Sequence, residues 1–206
     1  VSKLIKKYDL AINLTASDRS VLYSMIAGKR SISAVERNNK KSWWKKILLS
    51  DYYFFDNKKH ILKNNLEPLK ILKIKYDLVQ DLPNISDKVI DRMNIKLTQM
   101  GIADFVIFHP STQYSYKVYP QSLRHELLSL LSKLNIAVVV TGGNNEIDLA
   151  IKNNLPLLEN IINWIGQTSI EEYIALSALS QGYIGMDTLN MHIAAAQNKR
   201  VFAIFG

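Results

Sequence analysis

Hydroxyl, glycine and carboxylate residues recur at the ends of four apolar runs. The segments are HPSTQYSYKVYP after residues 105–108, TGGNNE after 136–140, GQTS after 161–165, and MDTLNMH at the end of 182–186. In an open sheet of parallel strands the loops that follow the strands gather on one edge, and ligands bind there. Ser111, Thr112, Lys117, Thr141, Gly142, Gly143, Glu146, Thr168, Ser169, Asp187, Thr188 and His192 would then line one cleft. Hydroxyls, glycines, a lysine and open helix N-termini suit a pyrophosphate. Glu146 is placed to accept hydrogen bonds from ribose hydroxyls, although it also serves as an N-terminal helix charge. Asp187-Thr188 fits both a ligand contact and a cap for the following helix. His109, followed by Pro110 at a strand end, reads as structural, and His60 and His125 have no partner pattern. Neither GxGxxG nor GxxxxGK[ST] occurs, which weighs against ordinary dinucleotide and P-loop sites.

The elements that must carry these loops follow from apolar periodicity and breakers. Residues 101–206 alternate strand and helix: strands at 105–108, 136–140, 182–186 and 201–205, helices at 121–134, 146–153 and 169–178, and a helix around His192. Residues 161–165 look less regular. Such alternation with short links predicts a parallel sheet with helices on its faces. In the first half, 8–14 reads as a short buried strand, Ser17 and Asp18 as a cap, and Gly28 as the stop of the helix that follows. Residues 31–35 read as the next strand, 52–55 as a continuation of the aromatic cluster, 60–72 as a helix that Pro68 interrupts or in which it opens a second turn, 76–82 as extended, 83–86 as a breaker cluster, and 87–100 as a helix ended by Gly101. The domain junction is expected near 100–104.

The chain has 206 residues, 48% hydrophobic and 21% charged, enough for one large or two small globular domains. It has no cysteine, which removes disulfides and thiolate metal sites. No apolar run is long enough to span a bilayer and no signal peptide is visible, so the expected location is cytoplasmic. It begins abruptly at Val1, which suggests a fragment. The net charge of +8 is uneven: residues 1–100 hold 20 Lys/Arg against 10 Asp/Glu, and the remainder holds 6 against 8. A basic first half suits an anionic lipid, a phosphorylated substrate or nucleic acid, or is a lysine-rich solvated surface. Nucleic acid is the weakest of these, because the sharp motifs lie in the acidic half and match no nucleic-acid module.

The second half resembles glycosyltransferase family 9, the lipopolysaccharide heptosyltransferases. The resemblance is carried by His109-Pro110-Ser111-Thr112 with Lys117-Val118-Tyr119-Pro120, by Thr141-Gly142-Gly143 with Glu146, by Gly166-Gln167-Thr168-Ser169-Ile170, and by Asp187-Thr188-Leu189-Asn190-Met191-His192-Ile193-Ala194-Ala195 before the closing VFAIFG. Leu189 stands where the family has the Gly of Asp-Thr-Gly, and Tyr119 where it has Trp. A glycine there would permit positive φ or close approach of phosphate to backbone, so Leu189 bears on loop geometry and donor preference.

The resemblance implies an α/β chain of GT-B type, with two Rossmann-like, doubly wound parallel-sheet domains facing a cleft. Residues 1–100 would be the latter part of the acceptor-side domain, and 101–206 the nucleotide-sugar-binding domain. It implies a metal-independent, inverting transfer of heptose from ADP-heptose to the lipopolysaccharide inner core, with no cofactor beyond the donor substrate. Lys117 would stabilise the leaving diphosphate. Ser111, Thr112, Thr141, Gly142, Gly143, Glu146, Thr168, Ser169, Asp187, Thr188, Leu189 and His192 would hold the donor. The general base is expected in a segment preceding Val1, so residues 1–206 alone should not turn over. The implied acceptor is an anionic, lipid-linked Kdo/lipid A saccharide, met at the inner face of the inner membrane. The alternatives are a GT-B transferase with another nucleotide sugar, and a non-catalytic nucleotide-sugar-binding paralogue.

The run ERNNKKSWWKKILLS at 36–50 carries a separate expectation. As a helix it puts Trp43, Trp44, Ile47 and Leu48 on one face and Lys45 and Lys46 opposite. It would either pack its tryptophans in the core with an exposed basic face, or lie at a membrane interface beside anionic lipid.

Overall fold

Two parallel sheets organise the computed structural model, which describes residues 2–38, 40–77 and 85–205. They belong to two compact units, Val1–Leu78 and Val79–Gly206. In the first unit the order is β1 (Tyr8–Asn13), α1 (Asp18–Ala27), β2 (Gly28–Glu36), α2 (Trp43–Leu48), β3 (Asp51–Phe55), α3 (Ile61–Asn65) and α4 (Glu67–Ile71). Its sheet runs β1-β2-β3, with every pair parallel. The central strand carries the core: Ile32, Ala34 and Val35 are fully buried, whereas Tyr8 and Ile12 on β1 are exposed. The expectation of a buried first strand therefore fails, because β1 pairs on one side only. Ser17 caps α1, its side chain accepting from the Ser20 N–H. The expected helix at 60–72 is two short helices broken at Leu66, and Pro68 sits in the first turn of α4, where its missing N–H costs no intrahelical bond. Of the extended segment expected at 76–82 and the breaker at 83–86, residues 78–84 lie outside the described residues.

The second unit contains α5 (Asp87–Gln99), β4 (Phe105–His109), α6 (Gln121–Leu131), β5 (Ala137–Val140), α7 (Glu146–Asn153), β6 (Ile161–Asn163), α8 (Ile170–Leu179), β7 (Gly182–Met186), α9 (Leu189–Ala196) and β8 (Arg200–Ile204). The irregular stretch at 161–165 thus contains a strand. The junction falls between residues 78 and 79 rather than at 100–104. The reason is packing. Val89, Met93 and Leu97 of α5 are buried in one cluster with Phe105, Ile107, Val139, Trp164 and Leu176, and the Lys96 ammonium lies 4.3 Å from the centre of the Trp164 ring. Burying an aliphatic side chain of this size contributes about 1.5–3 kcal/mol, so three of them bind α5 firmly to the second unit. Gly101 marks the end of α5 as expected, and its φ of +71° is a conformation glycine adopts without penalty.

The second sheet is parallel throughout, in the order β6-β5-β4-β7-β8. From β4 the chain winds outward to β5 and β6, then returns to the far side of β4 for β7 and β8. The winding direction therefore reverses between β4 and β7. At such a switch point the loops leaving adjacent strands part and open a crevice at their carboxyl ends.

Candidate functional site

A pocket of about 150 Å³ opens at that edge, lined by His109, Thr141, Gly142, Gly143, Thr168, Ser169, Ile170, Tyr173 and Asn190. Each wall is fixed by an element already placed. His109 is the last residue of β4, Thr141 follows β5, Thr168 and Ser169 precede α8, and Asn190 lies in the first turn of α9. Larger hollows lie elsewhere, one of them at the opposite end of the sheet beside Asp104, Asn135 and Ala137. That one sits at the amino ends of the strands, where a parallel sheet presents neither helix N-termini nor the loops that diverge at the switch point.

The Gly142-Gly143 loop is held by a buried carboxylate. Asp148 Oδ2 accepts from the Gly143 N–H at 2.9 Å and from Asn145 Nδ2, while Asn145 Oδ1 caps α7 by accepting from the Asp148 N–H at 3.0 Å. A Cβ at Gly142 would stand 2.6 Å from Asp148 Oδ1, so any other residue there displaces the anchoring carboxylate. The next loop is closed by a capping box, in which the Ser169 hydroxyl accepts from the Glu172 N–H and the Glu172 carboxylate accepts from the Ser169 N–H. That backbone hydrogen bond holds the Glu172 carboxyl below its ordinary range, against the smaller opposing effect of burial.

His109 is the polar centre of the pocket, and the structural role expected of it is too narrow. Asn190 Nδ2 lies 2.9 Å from its Nδ1 and 3.2 Å from its Nε2; Thr141 Oγ1 is 3.2 Å from Nδ1 and Ser111 Oγ 3.4 Å from Nε2. Burial pushes the imidazole down to about 4, outweighing the nearby Asp148 carboxylate and the hydrogen bond with Thr141 that favour the charged form. The ring is therefore neutral near pH 7. A neutral ring with Nδ1 as acceptor takes the shorter contact from the Asn190 amide and leaves an Nε2–H for Ser111 Oγ. The Asn190–His109 bond spans the switch point, tying the start of α9 to the end of β4. Tyr173 adds a phenol that is 5% exposed and whose hydroxyl has no hydrogen-bond partner among the described residues. Burial also raises its pKa, so the phenol stays neutral.

The expected site residues divide into three groups. Thr141, Gly142, Gly143, Thr168 and Ser169 line the pocket, although the Ser169 hydroxyl and N–H are engaged in the capping box. Ser111 is buried behind His109, and Thr112 closes a local turn with Tyr114, donating to its carbonyl at 2.8 Å. The rest lie at the carboxyl edge outside the pocket. Lys117 is exposed in a 3-10 turn with Ser115, and Glu146 is exposed at the start of α7. Exposed Asp187 and His192 face each other at 3.7 Å. Thr188 stands at the N-cap of α9 but makes no side-chain cap bond, contrary to the capping role expected of Asp187-Thr188. Its hydroxyl instead lies 3.5 Å from that of Tyr183, which donates to the Met186 carbonyl. Among the described residues the N-cap side chain of α9, unlike those of α7 and α8, thus accepts from none of the helix's first N–H groups. Leu189 begins α9 and is 58% exposed. The non-glycine residues of positive φ among those described are Lys6, Lys73 and Asn198, so position 189 makes no demand for glycine's left-handed freedom.

Sequence reasoning missed Asn190, Tyr173 and Ile170 as pocket residues. Asn190 lies inside the quoted Asp187–His192 motif, and a short polar amide in the first turn of the helix that follows a strand was the available signal. Tyr173 gave none, since an aromatic at helical spacing reads as core.

Comparison with known proteins agrees with this architecture. The chain matches glycosyltransferase family 9 (heptosyltransferase) over residues 2–206. It is 26% identical over 151 residues to lipopolysaccharide heptosyltransferase 3 of Escherichia coli K12, covering 71% of this chain and 44% of that protein. Among solved structures it resembles a family 9 glycosyltransferase from Veillonella parvula (TM-score 0.71, 16% identity, 96% of this chain and 57% of that one). It also resembles E. coli heptosyltransferase WaaC with ADP (TM-score 0.68, 16% identity, 100% and 63%) and E. coli ADP-heptose lipopolysaccharide heptosyltransferase II (TM-score 0.68, 19% identity, 98% and 63%). The matched part of the chain thus covers 44% to 63% of the length of these relatives. The expected fold class holds: two parallel α/β units, with heptosyltransferases of GT-B type as structural neighbours. The parallel sheets, the hydroxyl-lined pocket at the switch point and the match along residues 2–206 place this chain in glycosyltransferase family 9, the heptosyltransferases.

Proposed function

We propose that the second unit binds a nucleotide diphosphate sugar, with ADP-heptose the favoured donor, and that the protein transfers the heptose to a lipopolysaccharide inner-core saccharide. The observation that carries this reading is the gathering of Thr141, Gly142, Gly143, Thr168 and Ser169 around one pocket at the carboxyl edge, in a chain of this family. The neighbouring WaaC structure contains ADP, which supports an adenine nucleotide. In the proposed reaction the acceptor hydroxyl oxygen attacks the anomeric carbon, the bond from that carbon to the diphosphate oxygen breaks, and ADP departs with the electron pair. A carboxylate outside this site takes the hydroxyl proton. Lys117 and the open N-terminus of α9 neutralise the diphosphate charge as it develops. Asp187 holds sugar hydroxyls and Glu146 the ribose. Transfer proceeds at the cytoplasmic face of the membrane that carries the acceptor, by an inverting route that needs no metal ion.

A second reading is favoured by Leu189 alone. An exposed isobutyl group stands at the start of α9, where the family resemblance has glycine, and would suit a different sugar or a binding role without transfer. Calorimetric titration with ADP-heptose, ADP, UDP and GDP separates the two. Preference for the adenine nucleotides supports the first reading, and equal or absent binding of all four defeats it.

A further inference from the structure

We infer that α2 and the turn before it form a contact surface for an anionic lipid bilayer. The inference stands on the first unit alone and is independent of the donor chemistry. It begins with an inversion of the usual helix pattern. Amphipathic helices turn lysine outward and tryptophan and isoleucine inward. In α2 the opposite holds. Lys45 is wholly buried, bonded to Asp18 at 2.7 Å, to Glu36 at 3.1 Å and to the Ala16 carbonyl. Trp43 is 64%, Ile47 69% and Leu48 58% exposed. The expectation that Lys45 and Lys46 share the face opposite the tryptophans is thus incorrect. Trp44 packs against the Val21, Val35 and Leu49 cluster, while Trp43 points away from it.

The orientation is locked rather than accidental. Ser42, 1% exposed, donates to Glu36 at 2.8 Å just before α2 begins, and Lys45 ties the same carboxylate one turn later. With both anchors facing inward, i,i+4 spacing obliges Trp43 and Ile47 to face outward together. Two carboxylates, Asp18 and Glu36, lie against α2 and are paired with Lys45, while the chain segment that carries the helix is itself basic. Residues 37–50 contain Arg37, Lys40, Lys41, Lys45 and Lys46 and no acidic residue. Arg37 and Lys46 both lie over the ring of Phe54, at 5.3 and 5.1 Å, and Lys46 belongs to α2 itself, next in sequence to Ile47. An indole and two aliphatic side chains bordered by cations match the two layers of an anionic membrane surface: headgroup phosphates meet the cations, and the acyl boundary meets the apolar groups. Among the described residues no helix is long and apolar enough to cross a membrane, so the contact is one of surface docking.

The test is co-sedimentation of the protein with phosphatidylcholine vesicles, with and without phosphatidylglycerol. Binding is expected only to the anionic vesicles, and should fall steeply between about 0.05 M and 0.5 M salt. Lys46→Glu should weaken it at least about fivefold, and the double variant Trp43→Ser, Ile47→Ser at least about tenfold. Trp43 and Ile47 are exposed and Lys46 is half-buried over Phe54; the urea midpoint of each variant is measured alongside, and the double variant should keep the wild-type value. Absence of binding at low salt overturns the inference, as does binding that survives the double variant. Self-association in analytical ultracentrifugation that the double variant abolishes, without vesicle binding, would assign the patch to a second copy of the chain and also overturn it.

Discussion

Replacing His109 with asparagine should remove a defined part of the protein's pH-dependent stability. The imidazole has a pKa of about 4 in the folded chain against 6.5 when unfolded. Between those values the unfolded chain binds a proton that the folded chain does not, so stability rises with pH across this window. The contribution is complete above about pH 6.5 and is lost progressively as pH falls toward 4. With about 1.4 kcal/mol per unit of pKa difference, lowering pH from 7 to 5 should cost the wild type about 2 kcal/mol through this residue alone. Asparagine keeps an amide oxygen near the Nδ1 position, where the Asn190 amide and the Thr141 hydroxyl now converge, and it does not titrate. Its smaller volume leaves a pH-independent cost. The carboxylates titrate in both proteins, so the change in their stability difference isolates His109. Urea unfolding at pH 7, 6 and 5 measures it. Trp164, fully buried in the second unit, is the reporter, and Phe at positions 43 and 44 in both proteins silences the other two tryptophans. A stability difference that changes by less than about 0.5 kcal/mol over this range would refute the argument from burial.

Two further outcomes follow from the same loops. Gly142→Ala drives a methyl group into the Asp148 carboxylate that anchors the loop, and should destabilise by about 1–3 kcal/mol and weaken nucleotide binding; Gly101→Ala, at φ +71° with nothing within 4 Å, should cost only about 1 kcal/mol of backbone strain and leave binding unchanged. Thermal unfolding and calorimetry compare the pair, and equal costs would contradict the close-contact argument. Lys117→Ala, at an exposed position, should weaken binding of ADP about tenfold with no change in melting temperature, and an unchanged Kd would remove Lys117 from the diphosphate site.

Much of the second unit was legible because its code is local. Each strand is a short apolar run ended by small or polar residues, and the loops lie in chain order where a parallel sheet brings them together. What the sequence concealed depended on contacts distant along the chain. Helix α5 reads as the end of the first half until Val89, Met93 and Leu97 are seen in the same core as Trp164. Asn190 gains a role only because the fold sets it against His109, 81 positions away. In α2, amphipathic periodicity was read with the usual inside and outside. Two carboxylates and a carbonyl around Lys45 reversed it, and no helical wheel contains those partners. Thr188 shows the same limit at short range. Its type predicts a cap, yet its hydroxyl turns toward Tyr183 instead.

The most direct test of the account is competition for the second unit's pocket. Calorimetry with ADP-heptose, ADP, UDP and GDP should give saturable binding of the two adenine compounds, at least about tenfold tighter than the other nucleotides. Asn190→Ala should weaken it, because the loop leading into α9 loses its tie to His109. Binding that is absent, indifferent to the base, or untouched by changes at Thr141, Gly142 and Asn190 would contradict the assignment of this edge as the donor site.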